Sequence, residues 1–273
     1  MTKQAKFIPL NIMDDFLNLK GNINHSVCRW CFDQFSLTDL CKEARKLGIL
    51  SIDLVGPEEF NILQEYGMDC GMVYGLPAPY GIEKCFNRPE NHEDLYEIYR
   101  NLIPKVAEAG FKNIICFSGN REGLSDREGL DNCATGIKRI MPLAEKYNVN
   151  IVIELLNSLV DHPDYQCDHT AWAAELCRII DHSNFKILYD VYHMQIMEGN
   201  IIETIRKNHP CIGHYHTGGV PGRNEIDHTQ ELNYVPIMKA IVETGYTGYV
   251  AQEFIPTGDP VKSLKNAILL CDV

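Results

Sequence analysis

The sequence predicts an α/β fold, a single (β/α)8 barrel, on three observations. Short apolar or β-branched runs alternate with longer amphipathic stretches from residue 23 to the end, the pattern of repeated βα units around a parallel sheet. Eight such runs can be counted, which favours a closed barrel over an open sheet. The 273 residues also match one barrel of about 250 residues, so residues 1–273 are read as one domain.

The expected strands are Ile23–Arg29, Ile49–Val55, Met68–Tyr74, Asn113–Phe117, Val149–Glu154, Lys186–Asp190, Cys211–His216 and Gly248–Glu253. Helix starts between them carry their own signals. Ser36 with Asp39, and Ser125 with Glu128, have capping-box spacing, in which a side chain satisfies a first-turn amide. Pro57 and Pro260 suit a first helical position that needs no amide hydrogen, and Gly48 and Gly110 suit left-handed helix ends. The longest connections, Gly75–Pro89, Leu155–Cys167 and Thr217–Asn233, follow the third, fifth and seventh strands. In a barrel they all lie at the C-terminal mouth, where active sites are built.

Composition narrows the function. A formal net charge of -12 opposes a nucleic-acid partner, whose phosphates are bound by clustered Lys and Arg. Met1–Lys20 lacks the basic start and apolar run of a signal peptide, and no window approaches the roughly 18 apolar residues of a membrane span. A cytoplasmic protein is expected. The 11 cysteines, among them Cys70, Cys116 and Cys211 in apolar runs, are read as reduced core residues. Cys28 and Cys31 form a CxxC with no second pair to complete a zinc site.

Glu154, Asp190, His216 and Glu253 close the last four expected strands, one per βα unit. A buried parallel strand has no use for a terminal carboxylate unless its charge is paired, hydrogen-bonded or coordinated. Neighbouring strands lie about 4.8 Å apart, so the four ends can converge on one point. Three carboxylates and one imidazole suit Mn2+, Mg2+ or Co2+, with Zn2+ as an alternative. Such an ion polarises a carbonyl and its neighbouring hydroxyl while flanking acids move protons, a task for which Glu154 and Glu253 are placed. No lysine ends a strand, which disfavours Schiff-base chemistry, and no GxSxG or GxGxxG is present. Gly218, Gly219 and Gly222 are compatible with phosphate binding and equally with a flexible loop.

In the segments ICFSGNREGLSD, IVIELLNS, ILYDVYHMQIMEGN, HYHTGGVPGRNEID and GYVAQEFIPT the chain resembles the xylose-isomerase-like barrel superfamily, in particular its hydroxypyruvate isomerase and sugar epimerase branch. The resemblance implies that Glu154 and Glu253 both bind metal and exchange protons, and that Asp190 and His216 complete the ligand set. It also implies that His193 and Arg223 contact substrate oxygens. Glu225 is expected to orient Arg223, and Asn157 to help position substrate. His216 departs from those hydroxypyruvate isomerases that carry Gln there and agrees with ketose 3-epimerases.

The resulting expectation is a metal-dependent isomerase of hydroxypyruvate and tartronate semialdehyde or a related small ketose, with a ketose 3-epimerase as alternative, in a chain compatible with a homo-oligomer. Two rivals of other classes are an endonuclease-IV-like hydrolase and a non-catalytic metal-binding barrel. The first resembles a multi-zinc site rich in histidine, for which His214, two residues before His216 on the same strand face, is the one easy extra ligand.

Overall fold

The computed structural model describes residues 17–273. Most of the Met1–Lys20 stretch, where a signal peptide would stand, therefore lies outside the described residues. Strands β1 (Asn24–Cys28), β2 (Ser51–Asp53), β3 (Asn113–Cys116), β4 (Asn150–Glu154), β5 (Phe185–Asp190), β6 (Ile212–Thr217) and β7 (Tyr249–Gln252) form a parallel seven-stranded sheet in the order β2-β1-β7-β6-β5-β4-β3. The helices are α1 (Leu37–Lys46), α2 (Phe60–Glu65), α3 (His92–Ala109), α4 (Asp126–Tyr147), α5 (Thr170–Ile180), α6 (Val191–Met197), α7 (Ile201–Asn208), α8 (Tyr234–Glu243) and α9 (Pro260–Cys271). None is long and apolar enough to cross a membrane.

The expected third strand, Met68–Tyr74, is the main correction. It makes only isolated parallel bridges, Ser51–Asp69 and Val55–Val73 on one side and Val73–Ile114 on the other. Its backbone still bonds to both neighbours, Leu54 N donating to the Met72 carbonyl at 2.6 Å and Val73 N to the Asn113 carbonyl at 2.9 Å, but side chains interrupt the ladder at Gly71: Ser51 Oγ accepts from the Gly71 amide at 2.7 Å, and Asn113 Nδ2 donates to the Gly71 carbonyl at 2.8 Å. The backbone passes so close to its neighbours that a Cβ on Gly71 would stand 2.6 Å from Asp53 Oδ1. β2 is also shorter than expected. It stops at Asp53 because Leu54 adopts φ +63, which no strand accommodates.

Local signals act where the chemistry requires. Ser125 forms the full capping box with Glu128, whereas Ser36 accepts from the Asp39 amide and donates to the Asp39 carboxylate. Pro260 opens α9 behind the Asp259 cap, and Gly110 ends α3 at φ +86. Pro57 opens a short 3-10 turn rather than an α-helix. Most cysteines are buried, but Cys177 and Cys211 are partly exposed, which corrects the reading of Cys211 as core.

Register fixes the site. Parallel partners point to the same face, and the row Glu154, Leu188, His214 lies one step below the row Asp190, His216, Ala251. Glu253, two residues beyond Ala251, continues that face, and its amide bonds to the Thr217 carbonyl at 2.9 Å.

Candidate functional site

Glu154, Asp190, His216 and Glu253 meet above the C-terminal ends of β4 to β7. One ligand atom from each lies within 4.8 Å of all the others, and all four residues are buried. His216 Nδ1 stands 2.8 Å from Glu253 Oε2 and 3.5 Å from Glu154 Oε1. Asp190 caps α6: its Oδ1 accepts from the Tyr192 amide at 2.8 Å and more weakly from the His193 amide at 3.3 Å. That leaves Oδ2 turned to the cluster, 3.3 Å from Arg223 Nη2.

The electrostatics follow from burial. Burial pushes the Asp190 carboxyl up to about 8, with Glu253 and Glu154 adding to the rise and Arg223 opposing it. Burial and then Glu253 also raise Glu154, against His216 and Arg223. Burial would raise Glu253 too, but Arg223 and His216 outweigh it and hold this carboxyl well below the usual range. For His216 burial opposes the charged form, yet Cys28, Glu253 and Asp53 keep its pKa well above the ordinary value. The nearby cations leave two of the three acids strained toward protonation. A group of hard oxygen donors with unbalanced negative charge fits a divalent cation.

Arg223 reaches the cluster from the loop after β6. It adopts φ +56, its amide bonds to the Gly219 carbonyl and its carbonyl accepts from the Ile255 amide. Its guanidinium lies 5.2 Å from the ring centroids of both Trp30 and Tyr192, and Nη2 donates to Glu253 Oε2 at 2.6 Å. Trp30 Nε1 donates to the other oxygen of Glu253 at 2.7 Å.

His193 is wholly buried, with Nε2 3.6 Å from Asp190 Oδ2. Its Nδ1 receives both the Asn157 amide at 3.1 Å and Asn157 Nδ2 at 2.7 Å, so Nδ1 carries no proton and the neutral ring has its hydrogen on Nε2. Burial and Arg223 hold the ring neutral, its pKa well below the ordinary value. Nε2 has no hydrogen-bond partner among the described residues.

Two expected roles are corrected. Asn157 gives both amide hydrogens to His193 and Asp161, and its oxygen accepts from the Val160 and Asp161 amides, so it orients His193 and has no group left for a substrate. Glu225 does not orient Arg223. Its carboxylate is taken by the Thr257 amide and hydroxyl, the Gly258 amide and Ser263 Oγ, where it ties the β6 loop to the start of α9. The GRNE segment itself gives no hint of that distant partner.

Two residues near the centre carry no signal that points to them in the sequence. Asp53 ends β2, one more carboxylate at a strand end, hidden because the apolar pattern runs on to Val55. Trp30 follows β1 inside the Cys28–Cys31 CxxC, whose spacing draws attention to the cysteines and not to the residue between them. His214 does not join the four-residue cluster; its Nε2 bonds to Asp53 Oδ2.

The model of the xylose isomerase-like TIM barrel family matches residues 58–269. The chain belongs to that family. Among relatives of this xylose isomerase-like protein, one from Xenopus laevis with a provisional hydroxypyruvate isomerase name is 38% identical over 113 residues, 41% of each chain. The aligned part thus spans less than half of that relative. The 2-oxo-tetronate isomerase of Pectobacterium atrosepticum is 26% identical over 241 residues, 83% of this chain and 89% of the relative. The solved structure of a family 2 AP endonuclease from Brucella melitensis superposes with a TM-score of 0.81 at 19% identity, covering 89% of this chain and 97% of the other; it supports the fold of this barrel family.

Proposed function

We propose that this chain is a divalent-metal-dependent isomerase of a small hydroxy-carbonyl compound such as hydroxypyruvate or a related keto acid or ketose. The observation that carries the proposal is the convergence of Glu154, Asp190, His216 and Glu253 within 4.8 Å. The hydroxypyruvate and 2-oxo-tetronate isomerase names of the relatives support the substrate class. The same reading takes the bridged segment 68–74 as the strand that closes an eight-fold barrel, and the whole chain as one domain.

Glu154, Asp190, His216 and Glu253 would hold Mn2+, Mg2+, Co2+ or Zn2+. When bound, the ion polarises the substrate carbonyl and adjacent hydroxyl and so acidifies the C–H between them. The neutral His193 offers its Nε2 hydrogen to a substrate oxygen, and Asn157 keeps that hydrogen aimed. Arg223 supplies positive charge at the mouth, gripped between Trp30 and Tyr192. Glu154 and Glu253 move the proton. Return to the neighbouring carbon, with the hydroxyl proton passing to the former carbonyl oxygen, yields an isomer, and return to the opposite face of the same carbon yields an epimer. The presence of His216, which agrees with the ketose 3-epimerase pattern, favours that second outcome as the alternative.

The test is incubation of the metal-loaded protein with hydroxypyruvate and a panel of ketoses in D2O, read by NMR. Deuterium at a carbon beside the carbonyl is expected with one substrate class, and its position separates isomerisation from epimerisation. Turnover that persists after complete metal removal, or no exchange into any hydroxy-carbonyl compound, overturns the reading.

A further inference from the structure

Beneath the four-residue cluster lies a second buried polar group that the proposed chemistry does not use. Asp53, at the end of β2, is fully buried. Its Oδ1 accepts from Ser26 Oγ at 2.5 Å; its Oδ2 lies 2.5 Å from His214 Nε2 and 3.3 Å from His216 Nε2. The space is closed from the third side by Gly71, where any Cβ would fall 2.6 Å from Asp53 Oδ1 and 3.2 Å from His214 Cε1. The carboxylate is thus held in one place from three strands and the 68–74 segment.

His216 stands between two sets of acids. Its Nδ1 faces Glu154 and Glu253, and its Nε2 faces Asp53, with Cys28 Sγ at 3.7 Å as the other neighbour. A neutral imidazole donates from one nitrogen and binds a metal through the other, and the acceptor opposite the donor decides which is which. We propose that Asp53 is the positioning residue that sets His216, accepting from Nε2–H so that the Nδ1 lone pair is presented to the site. Ser26 and His214 hold Asp53 in turn. The inference rests on His216 serving as a metal ligand, and it adds which nitrogen binds and what fixes the ring.

The experiment uses the full chain with Zn2+ as probe. Long-range 1H–15N spectra of the Zn2+-loaded wild type are expected to show His216 ligated through Nδ1 and protonated at Nε2. Asp53→Ala is expected to weaken Zn2+ binding by about 10- to 100-fold and to remove the fixed Nε2–H signature. Asp53→Asn keeps an oxygen acceptor and is expected to recover most of that affinity. Ligation through Nε2 in the wild type overturns the proposal without any variant. So does a folded Asp53→Ala or Asp53→Asn protein in which neither affinity nor the His216 spectrum differs between an acceptor present and an acceptor removed. A wild type that retains no Zn2+, Mn2+ or Co2+ instead defeats the ligand assignment beneath it, an outcome distinguished by metal titration alone.

Discussion

The two ends of β4 teach how one strand serves two purposes. At its start Asn150 donates to Asn113 Oδ1 at 2.9 Å and accepts from Asn184 Nδ2 at 3.2 Å, while Asn113 passes on to the Gly71 carbonyl. Neutral amides at the starts of neighbouring strands thereby satisfy one another without burying a charge. At its end Glu154 enters a buried group of acids whose charges the protein leaves only partly neutralised. A cavity of about 570 Å3 opens at the amide end, lined by Asp69, Gly71, Lys112, Asn113 and Asn150 among others. Stress of charge is the guide to chemistry here, because unfavourable burial persists only where something else offsets it.

That contrast can be broken most severely by Glu154→Gln. Turnover is expected to fall about 10³-fold, in the range for loss of a proton-transferring group, while the metal-free protein melts no lower than wild type because a desolvated acid has been replaced by a neutral amide. Steady-state rates together with calorimetry check both halves; a fall in melting temperature with unchanged rates reverses the assignment of the two ends. Glu253→Gln should match it in rate, but not in stability, since Glu253 is paired with Arg223 and His216.

A smaller effect concerns two buried histidines. His216 lies among acids, whereas neither ring nitrogen of His25 has a partner among the described residues, and burial lowers its pKa to about 4 against a weaker opposing pull from Asp272. A histidine depressed in the folded state binds its proton in the unfolded chain first. Its contribution to stability is therefore complete above pH ~6.5, declines as pH falls, and is gone below about 4, a total of about 3 kcal/mol. Urea denaturation from pH 7 to 4 should show a shallower loss of stability in His25→Gln than in wild type. Equal slopes would mean that His25 is not neutral in the fold.

Asn150→Ala should produce the smallest effect, about 1 kcal/mol of stability from two lost amide hydrogen bonds, with metal affinity and rates unchanged. A shift in metal affinity from this variant would show that the two ends of the strand are coupled.

Much of this site is legible in the amino-acid order alone. The acids at the ends of β4 and β5 and just past β7, with His216, stand out because a charged residue contradicts an apolar strand, and the contradiction recurs at one position in successive units. Ser125 and Pro260 are legible because a cap is settled by residues within one turn. Segment 68–74 is not: its apolar pattern is that of a strand, but Ser51 and Asn113 from neighbouring units take the Gly71 backbone groups. Glu225 misleads for the same kind of reason, its partners lying some thirty or more residues away.

The order of residues by itself determined the alternating βα units and the strand ends at which the acids stand, because periodicity and charge are properties of short segments. Only the tertiary structure decided that Asn157 serves His193, that Glu225 serves the β7 loop, and that Asp53 stands behind His216. A hydrogen bond is specified by distance and direction in space, and side chains far apart along the chain acquire both only when the strands are laid side by side.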